Sequence, residues 1–313
     1  MNEKSKEQSN DKSNDKSNEQ SKEQLKDQPR EQSFLFGASN AMVGTICIPV
    51  KPSAQAVPDS PVGVILFNAG VVHRVGPHRI NVRLARLLAS HGIMSIRFDL
   101  SGQGDSLRGG GRLNFEEQAV ADIQAAMDKL GAGTGTARYV LFGFCSGGVH
   151  SVATALVDDR VVGAILFDAY IYPTKQSQRN RYRMRIKQYG FIKAVGGWAW
   201  RKMKSLVKQS PLSELAVGAG REAYAIGAQS AQEFESTLKT LIARGVAVNM
   251  MYAGEGFEYY NYAEQFRDAF SDPVIREKVE CEFFPNMDHV ATGMAEQQAF
   301  MEAITRWVFK LKR

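Results

Sequence analysis

Chemistry first suggests itself at Tyr139–Gly148, read YVLFGFCSGG, where an apolar β-type run meets Gly143-Phe144-Cys145-Ser146-Gly147 and a helical stretch follows. Glycines two before and two after Cys145 match a sharp strand-to-helix turn that holds a nucleophile in strained backbone. Bulky flanks would collide across such a turn. With Ser146 at its centre the preceding flank would be Phe144, so Cys145 is the expected nucleophile. The positive end of the following helix favours the thiolate, and the Ser146 N–H would face a developing oxyanion. Cys47 and Cys281 fall in strand-like runs and read as core residues.

A thiol nucleophile needs a base, and this type of turn sets the chain order as nucleophile, acid, histidine. The five histidines stand at 73, 78, 91, 150 and 289. His289, in Phe284-Pro-Asn-Met-Asp-His289-Val-Ala, follows the last β-type run and precedes the last helix. A loop there can bring an imidazole over Cys145 as general base. His73 and His78 are next in line; His150 reads as packed and His91 as a helix end. The acid is expected after the run Val246–Tyr252, in Ala253-Gly-Glu-Gly-Phe-Glu258. Glu255 and Glu258 both qualify by position, and Glu258 is preferred because it lies further into the loop. A second oxyanion donor is expected from Asn68-Ala-Gly-Val-Val-His73. Gly70 lets the backbone approach closely, and the Val71 N–H is the expected donor. Asp99 and Asp105, in the next glycine-rich loop, read as caps on that loop's own backbone.

These side chains need a frame. Apolar runs at Val62–Phe67, Ile93–Phe98, Tyr139–Phe142, Val161–Phe167, Val246–Tyr252 and Val279–Phe284 alternate with helical stretches. Those helices span about 79–91, 115–130, a stretch after Ser146, 231–244 and 292–310. Strands apolar on both sides and separated by helices predict a mostly parallel sheet covered by helices on both faces. Phe34–Pro49 reads as an antiparallel hairpin on its edge, and no internal repeat is visible.

Composition is consistent with that frame. The chain has 313 residues, 44% apolar and 23% charged, enough for one large α/β unit. No apolar run approaches the roughly eighteen residues of a membrane-spanning helix, and the opening MNEKSKEQSN has no apolar core for a signal peptide. Three unpaired cysteines argue against a disulfide framework or a zinc cluster and for a reducing, cytoplasmic setting. Residues 1–32 carry seven Lys/Arg and eight Asp/Glu, with Leu25 their only aliphatic residue after Met1. Too little apolar surface is available there to offset ordering entropy, so that segment is expected to be a disordered tail. The core is expected at 33–172 and 231–313.

Between them, residues 173–230 break the sheet pattern. Residues 175–208 hold eleven Lys/Arg and no Asp/Glu, interleaved with Tyr182, Tyr189, Phe191, Trp198 and Trp200. This insertion reads as a basic helical cap. Arg181, Arg183 and Arg185 are candidates to attract an anionic substrate; nucleic acid is not the expected partner.

The motifs NAGV, RFDLSGQGDS, GFCSGG and PNMDH, spread over residues 34–312, resemble the α/β-hydrolase superfamily. GFCSGG is similar to the cysteine boxes of dienelactone hydrolases and polyhydroxyalkanoate synthases. HRVGPHR, LARLLASHG and RFDLSGQGDS are closer to exosortase-associated and serine-aminopeptidase-like hydrolases. The resemblance implies an α/β-hydrolase fold with a cap over the site. It also implies hydrolysis or transfer of an ester, thioester or amide acyl group, without metal or cofactor. Two departures stand out: the loop after Tyr252 lacks the usual Gly-x-x-Asp, and cysteine replaces serine, which shifts the expected substrate towards activated acyl groups, free or carrier-bound. The expected function is an acyl hydrolase working through an acyl-enzyme, with an acyltransferase or a catalytically retired binding protein as alternatives.

Overall fold

The computed structural model describes residues 29–49, 62–68, 70–108, 111–189, 229–255 and 259–311. Eight strands form one sheet: β1 (Arg30–Phe36), β2 (Met42–Ile48), β3 (Val62–Leu66), β4 (Met94–Phe98), β5 (Arg138–Phe144), β6 (Val161–Phe167), β7 (Ala247–Ala253) and β8 (Val279–Phe284). Their spatial order is β1-β2-β4-β3-β5-β6-β7-β8. β1 and β2 are antiparallel to each other, β2 is antiparallel to β4, and every other pairing is parallel.

Side chains of the central strands alternate between the two faces, as the two-residue period of a strand requires, with one irregularity at the start of β6. Val64, Leu66, Val140, Phe142, Ile165, Phe167 and Met251 pack on one face, beneath α1 (Ile80–Ser90) and α8 (Met294–Leu311). Ile65, Leu141, Ala164, Leu166, Val248 and Met250 pack on the other, beneath α2 (Phe115–Thr134), α3 (Gly147–Val157) and α5 (Ala231–Ala243). Both faces of each central strand are therefore dry, which is why β5 and β6 read as near-continuous apolar runs and β7 is interrupted only by the buried Asn249. Two of the covering helices start on capping boxes, Asn114 with Glu117 and Ser230 with Glu233. Short α6 (Gln265–Ala269) and α7 (Pro273–Lys278) lie between β7 and β8.

Two boundaries differ from expectation. β1 begins at Arg30, inside the stretch assigned to the tail, because an edge strand needs no apolar side chains to pair. Its polar Glu31 is held by Arg86 at 2.9 Å and Arg97 at 3.1 Å. Of the insertion, the described part is α4 (Lys175–Tyr189) and its flanks, anchored by Thr174 on the Tyr262 hydroxyl at 2.6 Å and by Asn261 Nδ2 on the Ser177 carbonyl at 3.0 Å. Residues 1–28 of the tail and 190–228 of the cap lie outside the described residues. Among the described residues no helix is long and apolar enough to cross a membrane.

Six parallel strands end along one edge of the sheet, at Leu66, Phe98, Phe144, Phe167, Ala253 and Phe284. The segments that leave this carboxyl edge carry Gly70, Val71, Cys145, Ser146, Glu255 and His289, the usual place for a site in such a sheet.

Candidate active site

The turn after β5 adopts the backbone that its glycines predict. Cys145 sits at φ 54°, a left-handed conformation that a side chain rarely adopts, whereas Ser146 is ordinarily helical at φ −59°. Gly143 shows why the flank must be small. A Cβ there would lie 2.6 Å from the Gly148 Cα and 2.7 Å from the Gly147 carbonyl oxygen. Cys145 is pinned through its N–H to the Phe167 carbonyl at 2.8 Å, which ties the elbow to the end of β6.

His289 is brought to Cys145 by the loop between β8 and α8. Asp288 is spent on that loop, its carboxylate accepting the Val290 and Thr292 N–H groups at 3.1 and 2.9 Å. The imidazole lies parallel to the Phe167 ring, 12° between planes, and against Phe144 at 5.5 Å. Its Nδ1 meets Asp168 Oδ2 at 2.8 Å, and its ring hydrogen-bonds Cys145. Burial alone would lower the imidazole pKa, but the Asp168 and Cys145 hydrogen bonds and charges outweigh it and push it up to about 10. The result is a ring that favours its protonated form between an acid and a thiol.

The carboxylate described on His289 is not the expected Glu255 or Glu258 but Asp168. Glu255 is exposed, with its backbone N–H on the Met287 carbonyl at 2.9 Å, and Glu258 lies outside the described residues. Asp168, the residue after β6, takes that place. It is fully buried, it holds φ 48°, and its Oδ1 accepts the Ala253 N–H at 2.8 Å while Oδ2 faces His289. Burial pushes its carboxyl pKa up, against the hydrogen bonds from His289 and Ala253. β6 and β7 are neighbours in the sheet, so an acid at the end of either strand can reach the same imidazole. The sequence signal was present: an aspartate directly after the run Val161–Phe167 must emerge at the carboxyl edge.

In the loop after β3, the amide that meets the elbow is that of Gly70, φ 54°, donating to Ser146 Oγ at 2.7 Å. Val71, the expected donor, is 92% exposed. Asn68 braces this loop, giving Nδ2 to the Val72 carbonyl at 2.7 Å and to Asp99 Oδ1 at 3.0 Å, and accepting the Leu100 N–H at 2.6 Å. Asp99 is fully buried and also accepts the Arg74 N–H at 2.6 Å. His73, Asp99 and Asp105 bring three ligand-type atoms within 4.8 Å of one another. The Arg74 guanidinium already bridges both carboxylates, at 2.5 and 2.7 Å, so the group is an internal ion cluster that fixes the loop.

The three candidate arginines are carried by α4. Arg181 lies 5.8 Å over the Tyr259 ring, Arg183 is exposed, and Arg185 is half-buried with a partner of its own.

Among known proteins, the family model described as serine aminopeptidase, S33, matches residues 58–248. Similar solved structures include a hypothetical protein of Pseudomonas aeruginosa, 13% identical over 88% of this chain and 94% of that one, with a TM-score of 0.51. An α/β serine hydrolase homologue of Coxiella burnetii is 14% identical over 88% of this chain and 96% of that one, with a TM-score of 0.50. At these identities the likeness speaks for the fold. No curated protein sequence matches the chain.

Proposed function

The chain belongs to the serine aminopeptidase S33 family of α/β-hydrolase enzymes, and from that premise we propose that it is an esterase- or thioesterase-type acyl hydrolase with Cys145 as nucleophile, His289 as base and Asp168 as orienting acid. The observation that carries this reading is the chain of contacts from Asp168 Oδ2 through His289 Nδ1, 2.8 Å apart, to Cys145 in its left-handed turn. Asp168 engages Nδ1 and so fixes the tautomer, leaving Nε2 for the thiol and the reacting groups.

In the first step the Cys145 sulfur attacks the acyl carbon. A C–S bond forms and the carbonyl π pair moves onto oxygen, where the Ser146 N–H and the Gly70 loop supply hydrogen bonds. The tetrahedral centre then collapses, and the leaving alkoxide or thiolate takes the proton held on His289 Nε2. In the second step His289 removes a proton from water, hydroxide attacks the thioester, and the Cys145 thiolate leaves and recovers its imidazolium partner. A thioester enzyme intermediate favours substrates that are themselves activated, such as aryl esters or acyl thioesters. The acid-free α4, with Arg181, Arg183 and Arg185, favours an anionic one.

Incubation with a panel of activated esters and acyl thioesters, followed by intact mass and peptide mapping, tests the reading. An acyl adduct on Cys145 is expected. Iodoacetamide should also label Cys145 ahead of Cys47 and Cys281, whose thiols burial pushes up to about 11. An active Cys145→Ala enzyme, or equal labelling of the three thiols, refutes it.

A further inference from the structure

The oxyanion loop has its nearest amide already engaged. Gly70 N–H donates to Ser146 Oγ at 2.7 Å, so it does not point into open space. A serine hydroxyl carries one hydrogen and two acceptor lone pairs. The Gly70 amide fills one lone pair, and the side chain makes no cap bond to α3. Among the described residues nothing accepts the hydroxyl hydrogen. The contact is held from the loop side, because Asn68, Arg74 and buried Asp99 lock the segment around Gly70. It is held from the other side because Ser146 follows Cys145 directly at the start of α3. A Cβ at position 70 would stand 3.9 Å from Ser146 Oγ, in contact with the hydroxyl.

We propose that the Ser146 hydroxyl is itself an oxyanion-hole donor, its oxygen accepting the Gly70 N–H and its hydrogen turned to the oxyanion formed when Cys145 attacks. This rests on Cys145 being the nucleophile. The loop's dipole then reaches the reacting oxygen through the hydroxyl, in a hydrogen-bond chain whose members polarise one another. No proton changes owner: the carbonyl pair moves to oxygen as the C–S bond forms, and the Ser146 hydrogen stays on Oγ. The opposite arrangement, a hydroxyl that plugs the Gly70 amide and must leave, gives the opposite sign when the hydroxyl is removed.

The test follows single-turnover acylation of the full chain by p-nitrophenyl acetate in wild type, Ser146→Ala and Ser146→Thr. Ser146→Ala should lower the maximal acylation rate about ten- to hundredfold with the half-saturating ester concentration unchanged, the order expected for one lost oxyanion donor. Ser146→Thr, which keeps the hydroxyl, should restore it to within a few-fold. Alkylation of Cys145 by iodoacetamide displaces iodide at a saturated carbon and makes no oxyanion, so it should run at the wild-type rate in both variants. Unchanged or faster acylation in Ser146→Ala overturns the proposal in favour of the plug. A loss not restored by threonine, or a parallel fall in alkylation, overturns it in favour of a packing role at the elbow. Acylation that persists in Cys145→Ala, with the acetyl group mapped to Ser146, instead overturns the assignment of Cys145 as nucleophile.

Discussion

Asp168 joins three loops in one carboxylate: its own at the end of β6, the end of β7 through the Ala253 N–H, and the His289 loop through Nδ1. A charge so deeply buried is costly unless paired, and the imidazolium is its partner. Asp168→Asn keeps the shape and loses the charge, so turnover should fall by about two to four orders of magnitude. Glu255→Gln and Glu258→Gln should stay within about twofold of wild type. If either glutamine variant is crippled while Asp168→Asn is not, the acid is misassigned. The same pair sets a pH signature. His289 binds its proton more tightly folded than unfolded, with a pKa raised from 6.5 to about 10. Below 6.5 both states are protonated and the pair's stabilisation is complete; as pH climbs towards 10 the unfolded chain has already released the proton, and the contribution fades. Melting temperatures of wild type and His289→Gln should therefore converge between pH 6.5 and 10, and a constant gap would deny the ion pair. That a strained-turn cysteine and a loop histidine come together was legible from spacing alone, since Gly143-x-Cys145-x-Gly147 and a histidine after the last strand each fit one place. The carboxylate that meets His289 was not, because its position depends on which two strands lie side by side.

At the level of elements, the apolar pattern finds two strands to the residue, Val161–Phe167 and Val279–Phe284, and the other parallel strands to within one or two residues at each end. Arg30–Gln32 escaped because an edge strand pairs through its backbone while Glu31 faces Arg86 and Arg97. The elbow is the element on which the proposed chemistry depends most. β5, the turn and α3 approach so closely at Gly143 that a methyl group meets the backbone of Gly147 and Gly148 and the Ser151 hydroxyl at 2.6 Å. Gly143→Ala should cost about 1–3 kcal/mol, as overpacking does, and lower the melting temperature by several degrees. It should also slow alkylation of Cys145 by moving it off the helix axis. Gly133→Ala, in the last turn of α2 with nothing within 4 Å of the added carbon, is the control. Alanine there should be neutral or stabilising by up to about 1 kcal/mol. Equal behaviour of the two variants would mean that the elbow tolerates widening and that its glycines serve another end.

Across the whole molecule the charge is unevenly placed. The net charge is +6, and residues 175–208 alone contribute eleven cations and no acid. α4 brings the first of these to the carboxyl edge, where the segment Tyr259–Tyr262 that follows β7 receives it. With Asp168 on His289, that segment contacts α4 instead. The basic character of the insertion was plain from composition; which arginines face solvent was not, because Arg181 is drawn onto Tyr259 by ring contact rather than by charge. If the field of the cap gathers substrate, it acts through solvent and is screened over about 8 Å at physiological ionic strength. The apparent second-order rate with an anionic acyl thioester should then fall as salt rises from low to physiological, while a neutral aryl ester should hardly respond. Arg179→Glu combined with Arg183→Glu reverses two exposed cations and leaves the Arg181–Tyr259 contact intact. That double variant should lose most of the salt dependence with the anionic substrate and keep the neutral-ester rate. Wild-type enzyme that answers salt equally with both substrates would show the cap to be a solvated surface, and the substrate need not then be anionic.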